Sequence, residues 1–339
     1  MRQLDFIEPH KLEWREVPEP VLEGDAEAIV RPLAVATCDI DTMFIAGKMP
    51  IQGPFPMGHE CVAEVTAVGD GVASVKPGDL VSVPFQISCG ECENCRAGHT
   101  GNCKSVPRMS AYGLGPLSGG DFGGFLSDVA RVPFADPMLV PIGEGVDPVA
   151  VASLSDNIPD AWRTVGPPLA KRPGARVLIV GGGAVSIPLY AVELAQALGA
   201  EGVDYLGGRA HERGRAQELG ANLLEEEYPE RAGHYAITVD ASGSHEGLAC
   251  ALRSTAAEGF CTAVAIYVEP TTPVPLLEMY TKGITFRTSR VHARPAMPEI
   301  LELVREGRFH PEKATGQVVD FDDAAEALAD HDVKTVLKR

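Results

Sequence analysis

Val177-Leu178-Ile179-Val180-Gly181-Gly182-Gly183-Ala184-Val185-Ser186-Ile187-Pro188 joins a short apolar run to three glycines and a helical pattern. The run suits a strand covered on both faces. Ile187, Ala191, Leu194 and Leu198 then recur at helical spacing, and Gly199 closes the helix. Pro188 falls in the first turn, where its missing N–H costs little. A strand, a glycine turn and a helix start together form a cradle for phosphate. Gly181, Gly182, Gly183, Ala184, Val185 and Ser186 are the candidate residues.

The same alternation continues downstream. Val203 to Leu206, Ala236 to Asp240, Phe260 to Ile266 and Ile284 to Thr288 read as strands, and His211 to Leu219 as a helix ending at Gly220. Such alternation gives a parallel, doubly wound α/β sheet. Upstream of about residue 155 the pattern is β. Ala28-Ile29-Val30, Leu33-Ala34-Val35 and Leu80-Val81-Ser82-Val83 read as strands, and Val62, Glu64, Thr66 and Val68 share one parity. Gly69-Asp70-Gly71 and Pro77-Gly78-Asp79 mark turns. The tail holds a helix from Met297 to Glu306, a segment from Phe321 to Ala329 and a short strand from Thr335 to Leu337. It is expected to return to the first domain. With 339 residues the chain exceeds one ordinary core. The expected domains are residues 1–155 with 290–339, and residues 156–289.

A net charge of -18 argues against nucleic acid as a partner, which needs a basic face. No apolar run is long enough to span a bilayer. Met1 to His10 carries charges and lacks an apolar signal region, so a cytoplasmic location is expected.

The reactive side chains fall into two groups. Cys38, then His59 and Glu60 after Gly58, offer the S, N and O ligands that zinc takes, and Asp156 is the candidate to complete the set. Cys89, Cys92, Cys95 and Cys103 form a tight cluster in a stretch with few apolar residues. Four thiolates on one structural zinc would hold such a lobe together. Free thiols or a redox Cys-x-x-Cys pair would also account for the spacing. Cys250 and Cys261 sit in apolar segments and read as core.

These residues resemble the zinc-containing medium-chain dehydrogenase/reductase family, the alcohol dehydrogenase group. The likeness covers nearly the whole chain and rests on Cys38 with Asp41, Gly58-His59-Glu60, the four-Cys lobe, Ser155-Asp156 and the glycine turn. It implies a GroES-like β-barrel catalytic domain and a Rossmann cofactor domain. It implies Cys38, His59 and Asp156 as ligands of a catalytic zinc, with Glu60 beside it and able to ligate when substrate is absent. Asp41 would accept a hydrogen bond from the distal nitrogen of His59. The competing reading of Asp41 is a cap or turn residue, and that of Asp156 the cap of a following helix; both roles could hold at once. Relatives carry a hydroxyl two residues after the zinc cysteine; here Ile40 stands there, and Met43 replaces a proton-exit histidine. Ser186 stands where a third glycine is expected, and the count back from Gly199 places Pro188 at that glycine's position.

The resemblance implies two zincs per chain and hydride transfer between nicotinamide and a small alcohol, aldehyde or ketone. At the end of the second parallel strand, Gly207 takes the place of the acid that binds an NAD ribose. Gly207, Gly208 and Arg209 leave room for a 2′-phosphate, so NADP(H) is expected over NAD(H). The competing assignment makes Asp204 the acid, Arg209 a solvated loop residue and NAD the cofactor. Ile40 also leaves room for a reductase of imines or activated alkenes. A non-enzymatic nucleotide binder and a zinc-ribbon interaction module are two further classes that the sequence allows. Trp162, Phe85 and Ile40 read either as pocket lining or as core. A homodimer or homotetramer is implied.

Overall fold

A computed structural model describes residues 1–225, 227–329 and 334–339. It divides into two compact units. The first comprises Met1–Pro159, His292–Arg305 and Thr315–Arg339; the second comprises Asp160–Val291 and Glu306–Ala314. In chain order the strands begin with β1 (Arg2–Glu8), β2 (Lys11–Glu16), β3 (Ala28–Ala36), β4 (Phe55–Pro56), β5 (Glu60–Val68), β6 (Leu80–Val83), β7 (Ala130–Val132) and β8 (Val140–Pro141). The second unit contributes β9 (Val177–Gly181), β10 (Val203–Gly207), β11 (Asn222–Leu223), β12 (Tyr235–Asp240), β13 (Thr255–Ala263) and β14 (Thr285–Thr288). The tail adds β15 (Gln317–Asp320) and β16 (Thr335–Lys338). The helices are α1 (Asp39–Ile45), α2 (Glu93–Arg96), α3 (Ala135–Met138), α4 (Asn157–Lys171), α5 (Ser186–Ala197), α6 (Ala210–Glu218), α7 (His245–Ser254), α8 (Leu276–Lys282), α9 (Ala293–Arg305) and α10 (Ala324–Ala329).

The first unit carries two sheets, β2-β1-β4 and β15-β16-β3-β5-β6-β8, with β7 also paired to β3. Register decides what gathers at one end of the larger sheet. Ala36 lies opposite Glu60 on β5 and opposite Val336 on β16. The Thr37 N–H donates to the Thr335 carbonyl at 2.9 Å. The residues that follow β3, open β5 and precede β16 therefore meet.

The second unit is a parallel sheet ordered β11-β10-β9-β12-β13-β14. That is a doubly wound order, in which the sheet grows outward in both directions from its first strand. Every residue of β9 is buried, as its apolar run requires. Cys250 and Cys261 are buried in this unit's core with Leu178, Val180, Leu206 and Leu248.

Several boundaries differ from the sequence reading. The strand expected at Phe260 to Ile266 starts at Thr255 and ends at Ala263, leaving Ile266 64% exposed. The helix expected from Met297 starts at Ala293. Helix α4 starts at Asn157, beside the Asp156 read as a cap, and continues through Pro167 and Pro168, which argue against its length. Among the described residues, 224–234 form no helix between β11 and β12. Among the described residues, no helix is long and apolar enough to cross a membrane.

Asp204 lies in the early half of β10, opposite Leu178. Its carboxylate accepts from Arg176 at 2.8 and 3.0 Å, from Asn222 at 2.9 Å and from Tyr235 at 2.9 Å. It is therefore a structural acid, away from the strand end where a ribose would bind. Burial alone would raise its pKa, but the bonds from Asn222, Arg176 and Tyr235 outweigh burial and hold it below the usual carboxylate range. A lowered folded-state value lends stability that is full above the ordinary range and lost as pH falls. Asp204→Ala should cost about 1–3 kcal/mol at neutral pH. Urea unfolding at several pH values should show the gap to the parent narrowing in acid. A gap independent of pH would mean that packing, not charge, was lost.

Candidate functional site

Gly58 enters the site with φ +91°, a left-handed backbone. A Cβ there would stand 2.8 Å from the Leu126 amide nitrogen, so only glycine fits before His59. His59 is 1% exposed and Glu60, the first residue of β5, is fully buried. Cys38 is the N-cap of α1. Ser155 fixes the approach of Asp156. Its hydroxyl accepts the Cys61 N–H at 2.8 Å and donates to the Cys61 carbonyl at 3.0 Å.

Donor atoms of Cys38, His59, Glu60 and Asp156 lie within 4.8 Å of one another. Cys38 Sγ is 3.7 Å from Asp156 Oδ2, and His59 Nε2 is 3.5 Å from the same oxygen. A tetrahedral metal with bonds of about 2.0–2.3 Å holds its donors about 3.3–3.8 Å apart. The spacing and the mixed S, N and O donors therefore fit zinc. Asp41 is the third residue of α1, whose N-cap is Cys38. Its Oδ2 accepts the Cys38 N–H at 2.8 Å, and its Oδ1 lies 3.5 Å from His59 Nδ1. The Phe85 ring stands 5.9 Å from the imidazole.

The electrostatics make the same point. Burial pushes the Cys38 thiol up to about 12, against the pull of His59. Burial would lower the His59 pKa, but Asp41 and Asp156 on either side hold it well above its ordinary value. Burial lifts Glu60 to about 7, with Lys334 opposing. A dication in the pocket would invert this logic, ionising the Cys38 thiol and Glu60.

Lys334 is a site residue that sequence reasoning missed. It is 5% exposed. Its Nζ donates to Glu60 Oε2 at 2.7 Å, to Asn157 Oδ1 at 2.9 Å and to the Thr37 carbonyl. Asn157 then donates from its backbone to Glu60 Oε1 at 3.2 Å, and from Nδ2 to Cys38 Sγ and Asp156 Oδ2, both at 3.2 Å. The only available signal was a lone lysine at the mouth of an apolar terminal strand.

The second cluster brings Cys89, Cys92, Cys95 and Cys103 within 4.8 Å, all unbridged. Backbone N–H groups point at the sulfurs, each at 3.4 Å: Cys92 to Cys89, Cys89 to Cys103, Lys104 to Cys92 and Ser105 to Cys103. The Lys104 N–H, then that of Cys95, lowers the Cys92 pKa to about 6, while burial raises Cys95 to about 12. Sulfurs this close, served by N–H donors, fit four thiolates on one cation.

In the second unit β9 ends at Gly181 and α5 opens at Ser186, with Val185 as its N-cap. A Cβ on Gly183 would stand 2.7 Å from the Ser242 carbonyl oxygen. The Gly183 and Ala184 N–H groups both turn inward to the Ala241 carbonyl at 2.9 Å. Any phosphate at this turn is therefore left to the α5 N-terminus. Gly207 pairs with Gly181 across the strand ends, and Gly208 follows with φ +83°. Arg209 caps α6 and is 55% exposed, with its Nε on the buried Glu212. The phosphate half of the turn fits a dinucleotide. The ribose half is filled by the chain's own Tyr228, whose hydroxyl donates to the Gly181 carbonyl at 2.6 Å. Phe85 and Ile40 lie in the first unit, and Trp162 in the second.

Comparison with known proteins follows the same lines. The Alcohol dehydrogenase GroES-like domain family matches residues 24–143. The chain is 28% identical over 323 residues to a probable zinc-binding alcohol dehydrogenase of Mycobacterium tuberculosis, covering 92% of this chain and 80% of that one. It is 31% identical over 213 residues to a glutathione-independent formaldehyde dehydrogenase of Pseudomonas aeruginosa, covering 59% of this chain and 52% of that protein. Among solved structures, a Thermus sp. alcohol dehydrogenase aligns with TM-score 0.87 and 27% identity, over 100% of this chain and 99% of that one.

Lys334→Met should leave Glu60 and Asn157 buried without their cation. The expected cost is about 3–5 kcal/mol, read by denaturant unfolding of the metal-free protein. An unchanged unfolding midpoint would show that Lys334 is dispensable to the site's frame.

Proposed function

The chain belongs to the zinc-containing medium-chain dehydrogenase/reductase family, and on that premise we propose an NADP(H)-preferring oxidoreductase acting on a small alcohol, aldehyde or ketone. The observation that carries this reading is the convergence of Cys38, His59, Glu60 and Asp156 at ligand spacing. We assign the metal chemistry to the first unit and dinucleotide binding to the second. Cys38, His59 and Asp156 would hold the catalytic zinc, and Cys89, Cys92, Cys95 and Cys103 a structural one, two per chain. Zinc at the first site supplies a Lewis acid for the substrate oxygen, and the nicotinamide gives or takes a hydride.

The chain's own residues set the terms of that chemistry. Asp41 fixes the His59 tautomer, so that Nε2 faces the metal position. Phe85 walls the imidazole from water. Lys334 holds Glu60 by one oxygen, which keeps the carboxylate beside the ligand set rather than committed to it. Ile40 offers no hydroxyl to carry a proton away. The proton that alcohol oxidation releases and carbonyl reduction takes up lacks that path in either direction, and reduction of an imine or activated alkene is the second reading. Val268, Leu276, Leu277 and Tyr280 are exposed large apolar residues of the second unit, which supports self-association as a dimer or tetramer.

Elemental analysis with activity assays tests the metal assignment. The parent should hold two zincs. His59→Ala should lose one, together with most turnover, yet melt near the parent. Asp41→Ala should lose about 10–100-fold in metal affinity or activity. Cys95→Ser should lose the other zinc and melt lower, because its lobe depends on the metal to fold. Parent-like turnover in His59→Ala would refute the catalytic site.

Cofactor preference rests on Arg209, whose exposed guanidinium keeps its outer nitrogens for a 2′-phosphate while Nε holds Glu212. Arg209→Ala should lower kcat/KM for NADPH by about tenfold, as befits an exposed charge-assisted bond, and spare NADH. Equal use of both cofactors by the parent would overturn the preference.

A further inference from the structure

We propose that Tyr228 sets dinucleotide affinity by standing in the adenosine-ribose cradle, so that the dinucleotide binds only when this side chain moves out. The inference rests on the dinucleotide reading above and adds a residue to it. In a doubly wound sheet the dinucleotide lies outside the carboxyl ends of the strands, with its adenosine ribose at the end of the second of them. Here that edge is built from Gly181 of β9 and Gly207 of β10, which lie side by side, with Gly182 and Gly208 following. Gly182 has φ +131° and Gly207 φ +72°. Neither carries a Cβ, so backbone is bared where a ligand would approach.

That bared backbone is already covered. A Cβ on Gly182 would stand 2.4 Å from the Tyr228 hydroxyl oxygen, and one on Gly207 would stand 2.4 Å from Cε1 of the same ring. The phenol thus takes the room that the glycines leave. Its hydroxyl donates to the Gly181 carbonyl at 2.6 Å, which ties the ring to the strand end that it covers.

The segment that presents Tyr228 runs from β11 to β12 and is tied at both ends. At its start the Leu224 N–H donates to the Tyr205 carbonyl at 2.8 Å, and the Glu225 carbonyl accepts from Gly207 at 3.1 Å. Arg213 Nη1 adds bonds to the Gly207 and Glu225 carbonyls, both at 3.1 Å. At its end the Ala232 N–H donates to Ser254 Oγ at 2.9 Å, and Arg231 pairs with Glu278 at 3.1 Å. Leu224 and Ala232 pack with Tyr228 against the sheet core. The backbone is thus anchored on both sides of a half-buried ring. Rotation of that one side chain opens the cradle without unfolding the segment.

A latch closed nine-tenths of the time weakens apparent binding about tenfold. Calorimetric titration of the zinc-loaded full chain with NADPH, NADH and ADP-ribose tests this. Tyr228→Ala should bind all three roughly tenfold tighter than the parent, and Tyr228→Phe, which loses only the hydrogen bond to Gly181, should gain less. Nicotinamide mononucleotide, lacking the adenosine half, should gain nothing. If the parent binds and both variants bind no tighter, the latch is wrong while the dinucleotide reading stands; weaker binding would make Tyr228 a stacking platform instead. If neither parent nor variants bind any of the ligands, both fall.

Discussion

A thiol, an imidazole and two carboxylates with donor atoms within 4.8 Å of one another, largely out of water, are the constraint around which the first unit is built. Buried charges without partners are expensive. The fold meets this with one counter-charge from its tail. Lys334 reaches Glu60, Asn157 and the end of β3 together. The pairing of Ala36 with Glu60 and with Val336 makes that reach possible. What Lys334 does not neutralise is the side of the pocket facing Cys38, His59 and Asp156, where a divalent cation would supply the missing charge. The same reasoning holds for the four-Cys lobe, whose sulfurs gather backbone N–H donors.

The two strand-end glycine sites of the second unit behave differently. In the turn between β9 and α5 the protein itself requires glycine, since the Ser242 carbonyl closes on Gly183. At Gly207, and at Gly182 beside it, the missing side chains make room, and Tyr228 occupies it. A glycine pattern in sequence reports that the backbone is bare; it does not report what lies against it.

Much of this was legible in the chain. Cysteine spacing and Gly-His-Glu depend on local chemistry, and both clusters assemble from the residues that the sequence singled out. The parallel strands were visible because burial on two faces demands continuous apolar runs. The rest was hidden for physical reasons. Lys334 acts across the sheet through register that only the paired strands reveal. The start of helix α4 was legible beside Asp156, but its extent was not, because Pro167 and Pro168 argue against it. Tyr228 lies in a segment with no periodicity, and its role comes from what it covers. Arg209 is both a helix cap on Glu212 and a candidate phosphate ligand, and sequence shows only the second.

Zinc X-ray absorption on the fully loaded protein addresses the central claim most directly, because it counts sulfur ligands without reference to activity. One four-sulfur site and one site with a single sulfur, Cys38, predict an average of about 2.5 sulfurs per zinc at two zincs per chain. Four sulfurs per zinc at one zinc per chain would contradict the account, for Cys38, His59 and Asp156 would then hold no metal.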